Sequence, residues 1–223
     1  MSGDPRPLAA GLDGGSHVDH IVWGVPDTDD GLETLHELTG VQPSIGRMPT
    51  DELYPTRSAS IGLGGGAFFE VYGPNPAYRG APHTFHTLLT SLPAPRLLTW
   101  FARVIDLPAV TTELSRLGHT VAPMIDEWER TTAPSFRNAQ FSDHMFEPAV
   151  PRLIEWHDRM GMDENLVQGA RLDRIVVRSE QLDEVRSVHA HLGLVDDPTI
   201  VLEAGAPAMA AHLDTASGPV VIN

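Results

Sequence analysis

The stretch SHVDHIVWGVPDTDDGLETLHELTG, Ser16–Gly40, decides the fold. His17 to Val25 alternates as a β-strand does, with Val18, His20, Val22 and Gly24 on one face. His17, Asp19, Ile21, Trp23 and Val25 take the other, and Pro26 ends the strand. Thr28 or Asp30 is placed to cap the helix that follows. Leu32, Leu35 and Leu38 form its apolar stripe, and Gly40 closes it. A second strand, Ala67-Phe68-Phe69-Glu70-Val71-Tyr72, ends at Gly73-Pro74-Asn75-Pro76 and carries one acid in an apolar run. A histidine on one strand and a glutamate on another can be read as half of a metal site.

Composition narrows the chemistry. The 223 residues suffice for one domain or two small ones, each with a core. Every basic residue is arginine, all fifteen of them, so no lysine can form a Schiff base or a P-loop. Cysteine is absent, which removes disulfides, thiolate nucleophiles and Cys-based zinc sites. A net charge of −15 opposes nucleic acid and anionic membrane surfaces. Any metal must therefore use His, Asp, Glu or water. No window has the ~18 apolar residues of a membrane span. Met1–Gly15 lacks the apolar run of a signal peptide, so a mobile tail and a cytoplasmic location are expected.

Further along, Ser58 to Gly64 alternates as a strand, and Gly64-Gly65-Gly66 reads as a hairpin turn rather than a phosphate cradle. After a Pro-rich connector with a short helix at Phe85–Ser91, the order repeats. Leu97–Ile105 is a strand and Leu107–Leu117 a helix with Pro108 in its first turn. His119–Asp126, Glu129–Thr132, Phe136–Phe141 and Arg152–Trp156 are the strands that follow. Two units about eighty residues apart indicate a duplication. A third start at Leu172–Arg178 leads to a helix at Leu182–Leu192 and to strands at Thr199–Glu203 and Val220–Ile222, with Met209–Asp214 weaker. The expected division is a tail over 1–16, βαβββ modules over 17–92 and 93–160, and a shorter C-terminal unit over 168–223, with Met160–Asn165 as linker.

VDHIVWGVPDTDDGLETLHELTGV, FFEVYGPNP and, more weakly, PRLIEWHD resemble the vicinal oxygen chelate superfamily, in particular its glyoxalase-like domains. The resemblance implies an α+β fold of tandem βαβββ modules whose curled mixed sheet surrounds a cleft, with the shorter αβ unit following. It implies a divalent ion, Zn, Mn, Fe, Ni or Co, held by His20, Glu70 and Glu155. Laying LLTWFARVID over VDHIVWGVPD puts Thr99, a poor ligand, where a fourth would stand.

His157, two residues beyond Glu155, shares its strand face and is a further ligand or general base. Glu155 and His157 are thus the catalytic candidates, and Arg57, Arg103 and Trp100 the substrate-binding ones, the arginines by pairing with a carboxylate. His17 and Asp19 are read as surface residues, and His189 and His191 as structural. His83 and His86 are read as a solvated helix turn, and His144 lies in a loop that can reach the cleft. The resemblance implies a metal-dependent lyase or isomerase acting on a small molecule with adjacent oxygens. The alternative is a protein of the same fold that sequesters a small molecule without catalysis. Either is expected as a monomer or homodimer.

Overall fold

The computed structural model describes residues 16–45, 52, 54–126, 135–142, 148–157 and 166–223. Residues 1–15 of the expected tail, the linker at Met160–Asn165, the strand at Glu129–Thr132 and His144 lie outside these residues. The described elements run β1 (His17–Gly24), α1 (Thr28–Thr39), β2 (Ser44–Ile45), β3 (Thr56–Gly64) and β4 (Ala67–Pro74). After α2 (Thr84–Thr90) come β5 (Arg96–Arg103), α3 (Leu107–Arg116), β6 (Val121–Asp126), β7 (Phe136–Phe141) and β8 (Arg152–Trp156). The chain ends with β9 (Ala170–Ser179), α4 (Leu182–Leu192), β10 (Ile200–Ala204), β11 (Ala208–Thr215) and β12 (Gly218–Ile222). The tandem βαβββ order is present, and the C-terminal segment repeats it in fewer residues. The weak signal at Met209–Asp214 is β11, whose buried Met209, Ala211 and Leu213 alternate with more exposed residues.

Among the described residues the strands form two mixed sheets, of eight and four strands. The residues also divide into two compact units. One draws on Met1–Asp19, Trp100–Gly161 and Arg174–Met209, the other on His20–Thr99, Met162–Asp173 and Ala210–Asn223.

In the second unit β2, β3, β4, β1 and the start of β5 follow one another in hydrogen-bonded order. β1 runs parallel to β4, with His20 opposite Phe68 and Val22 opposite Glu70. β3 and β4 form the expected hairpin, and Gly64, Gly65 and Gly66 turn it with positive φ throughout. The core side of this sheet carries Ile21, Trp23, Val25, Phe69 and Val71, all buried. Against it lies α1, through Gly31 and Leu35. Each large apolar side chain so placed contributes about 1.5–3 kcal/mol.

The cap of α1 is neither Thr28 nor Asp30 but Asp27, whose Oδ1 accepts from the Asp29 and Asp30 N–H groups. Thr28 is buried instead and donates to the Pro74 carbonyl at 2.9 Å. A Cβ at Gly73 would sit 2.2 Å from the Thr28 hydroxyl oxygen, so the helix start and the end of β4 approach closely only because Gly73 has no side chain.

The first unit holds the end of β5, then β8, β7 and β6 in order. Asp106 caps α3 through the Ala109 N–H, and Leu107, Val110 and Leu114 make its buried stripe. In the same unit β9 pairs with β10 in parallel, and α4 buries Val185, Val188, His189 and Leu192.

Candidate functional site

Register decides which side chains share a surface, because paired residues point to the same side of a sheet. In the second unit His20, Val22, Phe68, Glu70 and Tyr72 therefore stand on one side of β1 and β4. From β3 the same side receives Ser58, opposite Tyr72, and Ser60, opposite Glu70. His20 is buried, with its ring stacked on Phe68 at 4.5 Å and 13°. Glu70 is half-buried, and the Tyr72 hydroxyl lies 3.0 Å from that of Thr56. Adjacent strands and an offset of two residues put the His20 and Glu70 Cα atoms about 8 Å apart. An imidazole, a carboxylate and several hydroxyls thus share one otherwise apolar surface.

Arg57 belongs to the same unit but to the opposite side, since it pairs with Gly73. It meets Asp29 at 3.3 Å, and its Nε is buried without a hydrogen-bond partner.

The remaining candidates belong to the first unit. Glu155 is buried, and its Oε2 accepts from Arg137 Nε and from the Leu107 N–H at the start of α3, both at 2.7 Å. This carboxylate is an ion-pair partner and a helix N-terminal acceptor at once. β8 ends at Trp156, so strand alternation does not extend to His157, which lies exposed in the following turn. Trp100 has no exposure, and its indole N–H donates to the Pro148 carbonyl at 3.1 Å.

Arg103 donates from Nε to Asp19 Oδ2 at 2.6 Å, and the same oxygen accepts from Trp156 Nε1 at 2.9 Å. Asp19, expected at the surface, is fully buried. Its strand side also carries Ile21 and Trp23, so the acid had to be paired. An acid among large apolar residues was the signal to read.

His189 is structural as expected. Its ring lies 5.7 Å from that of Trp100, and Nε2 bonds the Ala149 carbonyl at 2.8 Å. A carbonyl only accepts, so the proton is on Nε2, and Nδ1 is buried without a partner. Burial pushes the His189 pKa below its ordinary 6.5 despite the Ala149 bond and Asp197. The folded state therefore resists the proton that the unfolded chain takes up as pH falls through 6.5. Stability should drop on acidification from about 6.5 toward the lower folded value. Urea midpoints between pH 7 and 5 should fall more steeply for the wild type than for His189→Gln; equal slopes would refute this.

Residues 18–193 match the family model described as a glyoxalase-like domain. The chain belongs to the glyoxalase-like domain family. A hypothetical protein from Staphylococcus aureus is similar at 14% identity and a TM-score of 0.58, over 86% of this chain and 87% of that one. A triple-substituted 4-hydroxymandelate synthase from Streptomyces coelicolor is similar at 13% identity and 0.55, over 93% of this chain and 62% of that one. Methylmalonyl-CoA epimerase from Mycobacterium tuberculosis is similar at 17% identity and 0.44, over 62% and 85%. No curated protein matches the sequence.

For a glyoxalase-like domain the question is whether its ligands assemble. Among the described residues no three His, Asp or Glu side chains form a group able to hold a metal ion. The helix caps explain why Glu155 is not placed like Glu70. Asp27 and Asp106 hold corresponding positions before α1 and α3, which makes Thr99 the counterpart of His20. Val25 donates to Tyr72 and, correspondingly, Val104 donates to Ile154. With Phe101 opposite Arg152, the counterpart of Glu70 is Arg152. Its guanidinium carbon stands 5.9 Å over the Phe101 ring. Glu155 lies three residues farther on, beside the start of α3. The matched letters LIEWHD and FFEVYG conceal this shift. Of the expected set, His20 and Glu70 share one strand side of the second unit, and Glu155 is engaged through Oε2 within the first.

Proposed function

We propose that this glyoxalase-like protein binds a small, oxygen-bearing molecule on the His20–Glu70 side of its β1–β4–β3 sheet. The observation that carries this reading is the one strand side that His20 and Glu70 share. Glu70 shares a side with His20, Ser60 and Tyr72, whereas Glu155 is taken by Arg137 and the α3 N-terminus. His20 and Glu70 supply an aromatic donor or acceptor and an anionic acceptor, a pairing suited to adjacent hydroxyl and carbonyl oxygens. The proposed setting is the cytoplasm, with the protein a monomer or homodimer. No helix among the described residues is long and apolar enough to cross a membrane.

The second reading is a divalent-metal lyase or isomerase, and the shared surface of His20 and Glu70 favours it. In that reading Glu155 keeps Oε2 on Arg137 and the Leu107 N–H, and Oε1 is the oxygen left to act as a ligand. Arg103 and Trp100 are committed within the first unit, and neither reading uses them.

A thermal-shift screen of 2-hydroxy acids, 1,2-diketones and catechols tests the proposal, with and without Zn, Mn, Ni or Co. A hit should lose roughly 10–100-fold in affinity in His20→Ala and in Glu70→Gln, the range of a hydrogen bond to a charged or buried group. A hit insensitive to both substitutions would sink it. A ligand response that depends strictly on one equivalent of metal, lost in both variants, would select the enzyme reading instead.

A further inference from the structure

We propose a second, separate site in the first unit: a divalent-cation clamp made by His119 and His191. His119 Nε2 and His191 Nδ1 stand 3.2 Å apart, with ring centroids at 5.4 Å and an interplanar angle of 63°. Two imidazole nitrogens on one tetrahedral ion at 2.0–2.1 Å are about 3.3 Å apart, and on adjacent octahedral positions about 3.0 Å. The observed spacing lies between those values. The ions matched are those imidazole prefers, Zn, Ni, Co or Cu, with water in the other positions.

Helix placement adds an independent reason. His191 is in the last turn of α4, which closes at Gly193 in the left-handed conformation. His119 follows the end of α3, and its N–H bonds the Leu114 carbonyl of that helix at 3.0 Å. Both helices thus direct their carbonyl ends toward one place, where the macrodipoles favour positive charge. Arg116 is near in sequence, but its guanidinium is engaged by Glu113 one turn back. Phe141 packs edge-on to His119 at 5.7 Å and fixes its ring.

With an ion bound, the protons sit on the far nitrogens, Nδ1 of His119 and Nε2 of His191. Without one, the same pair makes an N–H···N hydrogen bond. The clamp joins the ends of two helices, so the cation acts as a structural tie and needs no substrate.

Cobalt binding, followed by its visible absorption and by equilibrium dialysis at pH 7.5, tests the proposal on the full chain. One equivalent should bind and raise Tm. His119→Gln and His191→Asn keep a hydrogen-bonding group, yet each should weaken binding by more than about tenfold. His20→Ala with Glu70→Gln should leave this equivalent in place, which separates the clamp from the site proposed above. Absence of binding at 100-fold excess cobalt would overturn the proposal. So would binding that survives both His119→Gln and His191→Asn.

Discussion

Asp19→Ala is expected to lower stability by about 3–5 kcal/mol, the cost of breaking a buried ion pair from one side. The carboxylate has no exposure and receives both the Arg103 guanidinium and the Trp156 indole on a single oxygen. Alanine leaves both donors behind, and the Arg103 side chain, at 14% exposure, has little access to water. Urea unfolding would measure the loss, with a control that removes both charges, Asp19→Leu with Arg103→Met. That double variant should recover part of the deficit, because apolar replacement of both partners is far cheaper than stranding one. A loss under about 1 kcal/mol for Asp19→Ala would show that the pair is not buried as described.

Glu155→Ala should be the next most costly, at about 2–4 kcal/mol, since it removes a charged hydrogen bond to Arg137 and an acceptor at the α3 N-terminus. Glu155→Gln retains an acceptor for the Leu107 N–H and should lose about half as much. The opposite pattern, intact stability with ligand or metal binding abolished, would return Glu155 to the role its sequence neighbourhood implied.

The elements were largely legible because each carries its own punctuation. Pro26 and Gly40 bracket α1, Pro108 and Gly118 bracket α3, and the glycine triplet turns the β3–β4 hairpin. The cap was missed at Asp27 because three polar residues in succession offer the same chemistry, and backbone geometry chooses among them. His20 and Glu70 were legible as a pair, since a lone polar residue on an apolar strand stands out. Glu155 misled because local similarity reports letters, whereas a parallel register is set by the preceding strand and turn. Asp19 and His119 were undervalued for another reason. Their partners, Arg103 and Trp156 in one case and His191 in the other, are distant in sequence and meet only in the folded unit.

The double duty of Glu155 also constrains how such a protein can change over generations. A lineage that recruited this carboxylate to another task would first strand an arginine and a helix start. A compensating residue must therefore appear earlier or together with it. Novelty at this position is consequently gated by stability.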